Sequence, residues 1–140
     1  MAILFYSKVD KFDLKRKSLV KSWLKSIIYS YNFKIGDISF VFVSDAEILQ
    51  VNNQYLSHNY YTDIITFSYN SGNTISGDIF ISIDTVFINA KKFNVEFIEE
   101  LHRVIVHGIL HLVGFNDSTE SEKLKMKEME DRYLLLLKSF

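Results

Sequence analysis

Residues His107–Asp117 read HGILHLVGFND, and the reading of the whole chain turns on this stretch. His107 and His111 stand four apart, about 40° from each other around a helix of ~3.6 residues per turn. Both imidazoles can therefore reach one metal ion. Gly114 follows, a residue that tolerates the left-handed backbone on which helices stop. Beyond it, Asp117 sits where the turn can swing a carboxylate back toward the histidines. Two nitrogens and one oxygen leave the fourth position of a tetrahedral zinc open, as catalytic sites do. Glycine inside a helix costs roughly 1 kcal/mol against alanine, so Gly108 predicts something packed close against the backbone there.

A pair of helical histidines is by itself more often packing than ligation. The coincidence of the pair, the glycine three residues on and a ligand three beyond that shifts the balance to a metal site. The same spacing occurs in long-motif zinc proteases. There, however, a glutamate follows the first histidine and serves as general base. Here that position is Gly108, which cannot accept a proton.

Outward from this helix, which the pattern places at about 95–113, strands and helices interleave. Ile3–Tyr6 reads as a short strand. A stripe of Leu14, Leu19, Val20, Trp23, Leu24, Ile27 and Ile28 predicts a helix from Asp13 or Leu14 to about Tyr31. Alternation at Ile38, Phe40 and Phe42 predicts a strand over 37–44. Ser44 with Glu47 forms a capping box for a helix to about Tyr55. Thr62–Tyr69 and Gly77–Ile83 are β-branched and aromatic, with Asn70–Asn73 as the turn between them. Asp84 is placed to cap a helix to Phe93, and Thr119 with Glu122 to cap the last one, where Met126, Met129, Tyr133 and Leu137 share a face. The expected fold is α+β: a single domain over residues 1–140, with a small mixed four-stranded sheet, about five covering helices and the metal site on a central helix.

Composition narrows the function. At 140 residues the chain can bury a real core. No stretch approaches the ~20 apolar residues of a membrane helix, and the amino terminus is too short in apolar residues for a signal peptide. The expectation is a cytoplasmic protein. With no cysteine, any transition metal must be held by histidine and carboxylate. Residues 1–34 carry eight Lys/Arg against two acids, whereas residues 35–90 carry six acids and no Lys/Arg. Lys17, Lys21 and Lys25 line one helix face, a stripe able to meet phosphates but more often simply solvated.

Three segments together resemble the YbeY family, bacterial rRNA maturation factors described as metal-dependent endoribonucleases. The first is H-G-x-L-H-L-x-G at His107, Gly108, Leu110, His111, Leu112 and Gly114. The second is VNNQY with YTDIITF, matching at Asn52, Tyr55, Thr62, Asp63 and Phe67. The third is the G-D-I strand at Gly77, Asp78 and Ile79. The resemblance implies a zinc-dependent single-strand endoribonuclease in rRNA processing (16S rRNA 3′ end maturation) and ribosome quality control. It also implies one Zn²⁺ per chain, an rRNA precursor and small-subunit components as partners, and no DNA or membrane.

Two departures stand out. The family's third ligand is usually histidine, and here the register holds Asp117; zinc accepts carboxylate oxygen at about 2.0–2.2 Å. The family's arginine after the tyrosine is Leu56, which cannot pair with phosphate. Arg103 is one candidate replacement, since 103, 107 and 111 stack along one face; the alternative is an ordinary Glu99–Arg103 helix pair. His58 is a second candidate. Asp63 and Asp78 are either water-orienting groups or turn and cap residues. Two other functions stay open: a zinc metallopeptidase, and a ribosome-assembly or RNA-binding module whose metal is mainly structural.

Overall fold

Alternating apolar residues in the middle of the chain build a four-stranded sheet, which a computed structural model describes for residues 2–56 and 62–140, without the Leu56 side chain. The strands are β1 (Ile3–Ser7), β2 (Lys34–Val43), β3 (Ile64–Ser68) and β4 (Thr74–Ser82), and the helices are α1 (Lys17–Ser30), α2 (Asp45–Leu56), α3 (Ile83–Lys92), α4 (Phe97–Leu112) and α5 (Glu120–Leu137). The sheet order is β1-β2-β4-β3. β1, β2 and β4 run parallel and β3 lies antiparallel on the edge, so the sheet is mixed, as the sequence predicts.

Period-two alternation sends the two faces of the sheet to different partners. Ile38, Phe40 and Phe42 of β2 and Ile75, Ile79 and Ile81 of β4 join the main core with Trp23, Leu24, Ile105 and Ile109. Val43 and Ile65, with Val41, Phe67 and Phe80 beside them, pack on Ile48 of α2. α4 lies directly on the sheet. A Cβ at Gly108 would stand 3.0 Å from both Cδ1 and Cγ2 of Ile79 and 3.2 Å from Cδ1 of Ile64, which explains a glycine in mid-helix. Gly77 does the same from the sheet side, where a Cβ would meet the Phe67 carbonyl oxygen at 2.5 Å.

Element edges depart from the sequence reading for local reasons. α1 begins at Lys17 because Arg16 is left-handed (φ 58°). Leu14 is buried in the core without being helical, so it enters the stripe falsely. β2 begins earlier, at Lys34, because the register shifts between Ile35 and Ile38 and interrupts the alternation. The cap of α3 is Ser82, whose Oγ accepts from Thr85 N–H at 3.2 Å. Asp84 lies inside the first turn and accepts from Asp45 N–H at 2.9 Å. The capping box at Thr119 and Glu122 is complete. At the Asn70 turn, the amide Nδ2 donates to the Leu112 carbonyl at 2.9 Å, tying the β3–β4 hairpin to the end of α4. Trp23 Nε1–H donates to the Tyr133 carbonyl at 2.8 Å, joining α1 to α5.

Candidate metal centre

The last turn of α4 ends in a Schellman motif. Gly114 N–H donates to His111 C=O at 3.1 Å and Phe115 N–H to Leu110 C=O at 2.9 Å, with Gly114 at φ 113°. This reversal has two effects. It turns the Phe115 carbonyl toward the ring of His111, whose Nδ1–H donates to it at 2.9 Å. It also returns Asp117 to the helix, with Oδ2 3.4 Å from Nε2 of both His107 and His111. The two Nε2 atoms are 3.0 Å apart. One ligand atom from each of the three residues lies within 4.8 Å of the others.

The opposite side of His107 is fixed from α5, where Nδ1–H donates to Glu130 Oε2 at 2.6 Å. With both Nδ1 hydrogens committed, the rings in their neutral form turn Nε2 lone pairs toward each other and toward an anionic oxygen. A cation between them relieves that repulsion, and histidines oriented through their second nitrogen by a carboxylate or carbonyl are the usual ligands of such ions. The donor set thus fits a divalent metal with nitrogen and oxygen preference. Burial works against a charge on His107, but Glu130, Asp117 and Asp63 outweigh it and raise its pKa. Burial and the neighbouring His107 lower that of His111.

The three side chains open into a cleft of about 580 Å³, walled on one side by β3 (Thr66 and Ser68) and on the other by Glu100 and Arg103 of α4. Burial raises the pKa of Asp63, which lines it, and pushes Glu100 up to about 6. Asp78 shares no face with them, because alternation along β4 sends it to the side of Phe80 while Gly77 and Ile79 meet α4. Arg103 borders the cleft but does not pair with Glu99. It donates to Glu130 Oε1 at 3.0 Å and to Asp131 Oδ1 at 2.6 Å, because Glu130 is buried and needs a cation that exposed Glu99 does not. His58 lies outside the described residues. Glu130 and Glu100 were not singled out from sequence. The available signal was an acid at position 130 on the stripe of Met126, Met129 and Tyr133, where a solvated residue would not be placed.

A family model described as Endoribonuclease YbeY matches residues 4–138. The chain belongs to the YbeY family. Proteins named endoribonuclease YbeY resemble it along nearly their whole length: that of Parabacteroides distasonis is 52% identical over 98% of this chain and 96% of its own. That of Bacteroides thetaiotaomicron is 46% identical over 97% and 99% respectively. The solution structure of TM1509 from Thermotoga maritima superposes with a TM-score of 0.68 at 26% identity, covering 97% of this chain and 89% of that one. YbeY membership agrees with the α+β fold and weighs against the peptidase reading. So does Gly108, which faces Ile79 and Ile64 of the sheet rather than the cleft. No helix among the described residues is long and apolar enough to cross a membrane.

Proposed function

We propose that this YbeY-family chain is a metal-dependent endoribonuclease that cuts single-stranded RNA, with rRNA precursor as substrate and the cytoplasm as its compartment. His107, His111 and Asp117 hold one Zn²⁺. The observation that carries the reading is the convergence of these three donors at the floor of an open cleft, with both histidines oriented through Nδ1. Bound there, the ion supplies Lewis acidity toward a phosphoryl oxygen and toward water.

The chain's own residues supply the rest. Arg103 uses one hydrogen on each terminal nitrogen for Glu130 and Asp131, and its remaining donors reach toward a phosphate in the cleft, offsetting Leu56. Glu100, with a pKa of about 6, can hold or release a proton near neutrality beside that phosphate. Asp117 is the most exposed of the three residues that would hold the ion, its side chain 42% accessible, so a strand would reach the centre from its side.

Elemental analysis and RNA cleavage by wild type, His111→Ala and Asp117→Ala test the proposal together. Near-stoichiometric zinc and cutting in wild type, both lost in the variants while RNA binding persists, support it. Stoichiometric metal without cutting, accompanied by a lower melting temperature in His111→Ala, would instead favour a binding module with a structural ion.

A further inference from the structure

A second groove, about 470 Å³, opens on the far side of the same side chains. It shares Glu100, Arg103, His107, Asp117 and Glu130 with the β3 cleft and continues between α4 and α5. His107 and Asp117 therefore border two grooves, one on each side of them. The two differ in charge. The β3 cleft is lined by Thr62, Thr66 and Ser68 with Asp63 and no lysine. The other groove carries Lys123 and Lys127 of α5.

These lysines stand one helical turn apart, about 6 Å along the axis, on either side of buried Met126. Neither takes part in an ion pair among the described residues, whereas their neighbour Lys125 reaches Glu128 at 3.8 Å. Arg103, the other permanent cation of the groove, has its charge balanced by Glu130 and Asp131 even where its remaining donors are free. Glu99 and Glu100 line the α4 wall of the same groove, with Asp117 and the buried, Arg103-paired Glu130 at its base, which leaves the exposed Lys123 and Lys127 edge of α5 as the side where an anion gains. At the mouth stands Phe93, 56% exposed. Its ring is projected by the turn that closes α3, where Asn94 adopts φ 57°, and Lys92 Nζ lies 5.8 Å from its centroid.

We propose that this groove is a backbone subsite for single-stranded RNA: successive phosphates on one side of the scissile bond lie against Lys123 and Lys127, and a base stacks on Phe93. The two lysines favour an anionic backbone along that edge of the groove, and an exposed aromatic with a cation beside it is a usual platform for an unpaired strand. The subsite rests on the endoribonuclease reading and specifies which of the two grooves holds the strand electrostatically.

The test is fluorescence anisotropy of a labelled 2′-O-methyl oligouridylate with the zinc-loaded protein across a potassium chloride series, alongside cleavage of the unmodified strand. For single strands the slope of log K against log salt is about −0.7 per phosphate neutralised. Lys123→Ala/Lys127→Ala should therefore flatten it by about 1.4, and Lys125→Ala should not change it. Phe93→Ala should weaken binding by roughly tenfold at unchanged slope, as loss of one stacked base does. All four positions are exposed, so the variants should fold. A wild type that binds and cuts, with the same slope in the double variant, overturns the subsite alone. A wild type that binds no RNA overturns the endoribonuclease reading as well.

Discussion

Glu130 accepts the Nδ1 hydrogen of His107 at 2.6 Å while its other oxygen accepts from Arg103 at 3.0 Å. One buried carboxylate thus sets the tautomer of a histidine in the candidate metal centre and holds the guanidinium beside the cleft. Glu130→Gln keeps the shape but weakens the acceptor. The expected outcome is a 10–100-fold loss of zinc affinity, roughly the effect of removing a carboxylate behind a ligating histidine, read by competition with a chromophoric chelator. Unchanged affinity would mean that Glu130 serves only Arg103.

The contact of Gly108 with Ile79 and Ile64 gives a stability prediction. Gly108→Ala gains about 1 kcal/mol of helix propensity but drives a methyl to 3.0 Å from Ile79. Ile79 is fully buried, and overpacking of this kind costs about 1–3 kcal/mol. Urea denaturation should show a net loss of about 1 kcal/mol.

Glu100 predicts a pH dependence. Its folded pKa is raised from 4.5 to about 6 by burial, with Asp63, Glu130 and Glu99 adding to the rise and Arg103 opposing it. The folded state therefore binds the proton more tightly than the unfolded chain. Its contribution is most favourable below pH 4.5 and is lost as pH rises to about 6. The loss is about 2 kcal/mol. The stability difference between wild type and Glu100→Gln should shift in favour of the variant by that amount between pH 4 and pH 7, followed by chemical denaturation at each pH.

The capping box of α5 is a fourth handle. Thr119 Oγ1 accepts from Glu122 N–H at 3.1 Å, and Glu122 Oε1 accepts from Thr119 N–H at 2.9 Å. Thr119→Ala should cost about 1 kcal/mol, measured as a lower melting temperature. Because α5 carries Glu130, zinc affinity should fall only if the whole helix shifts.

The convergence of His107, His111 and Asp117 was legible because it is local: eleven residues, one helical period and one glycine stop contain it. The sheet was legible for the same reason, through alternation at Ile38, Phe40 and Phe42. The misplaced helix starts came from signals that imitate each other. Leu14 is buried by tertiary packing and looks helical, and Asp84 looks like the cap of α3 but accepts from the Asp45 N–H at the start of α2. The partner of Arg103 was not legible. A helix pair with Glu99 is written in the spacing, whereas Glu130 and Asp131 lie 27 and 28 residues away and are chosen by how α5 docks.

That docking links the orientation of His107 to the order in which the chain is made. His107, His111 and Asp117 emerge during synthesis before α5 exists, and at that stage His107 has no carboxylate behind it. α5 then seats against α1 through the Trp23–Tyr133 bond, joining the first helix to the last. A nascent chain therefore carries the three donors before it carries the carboxylate that orients His107.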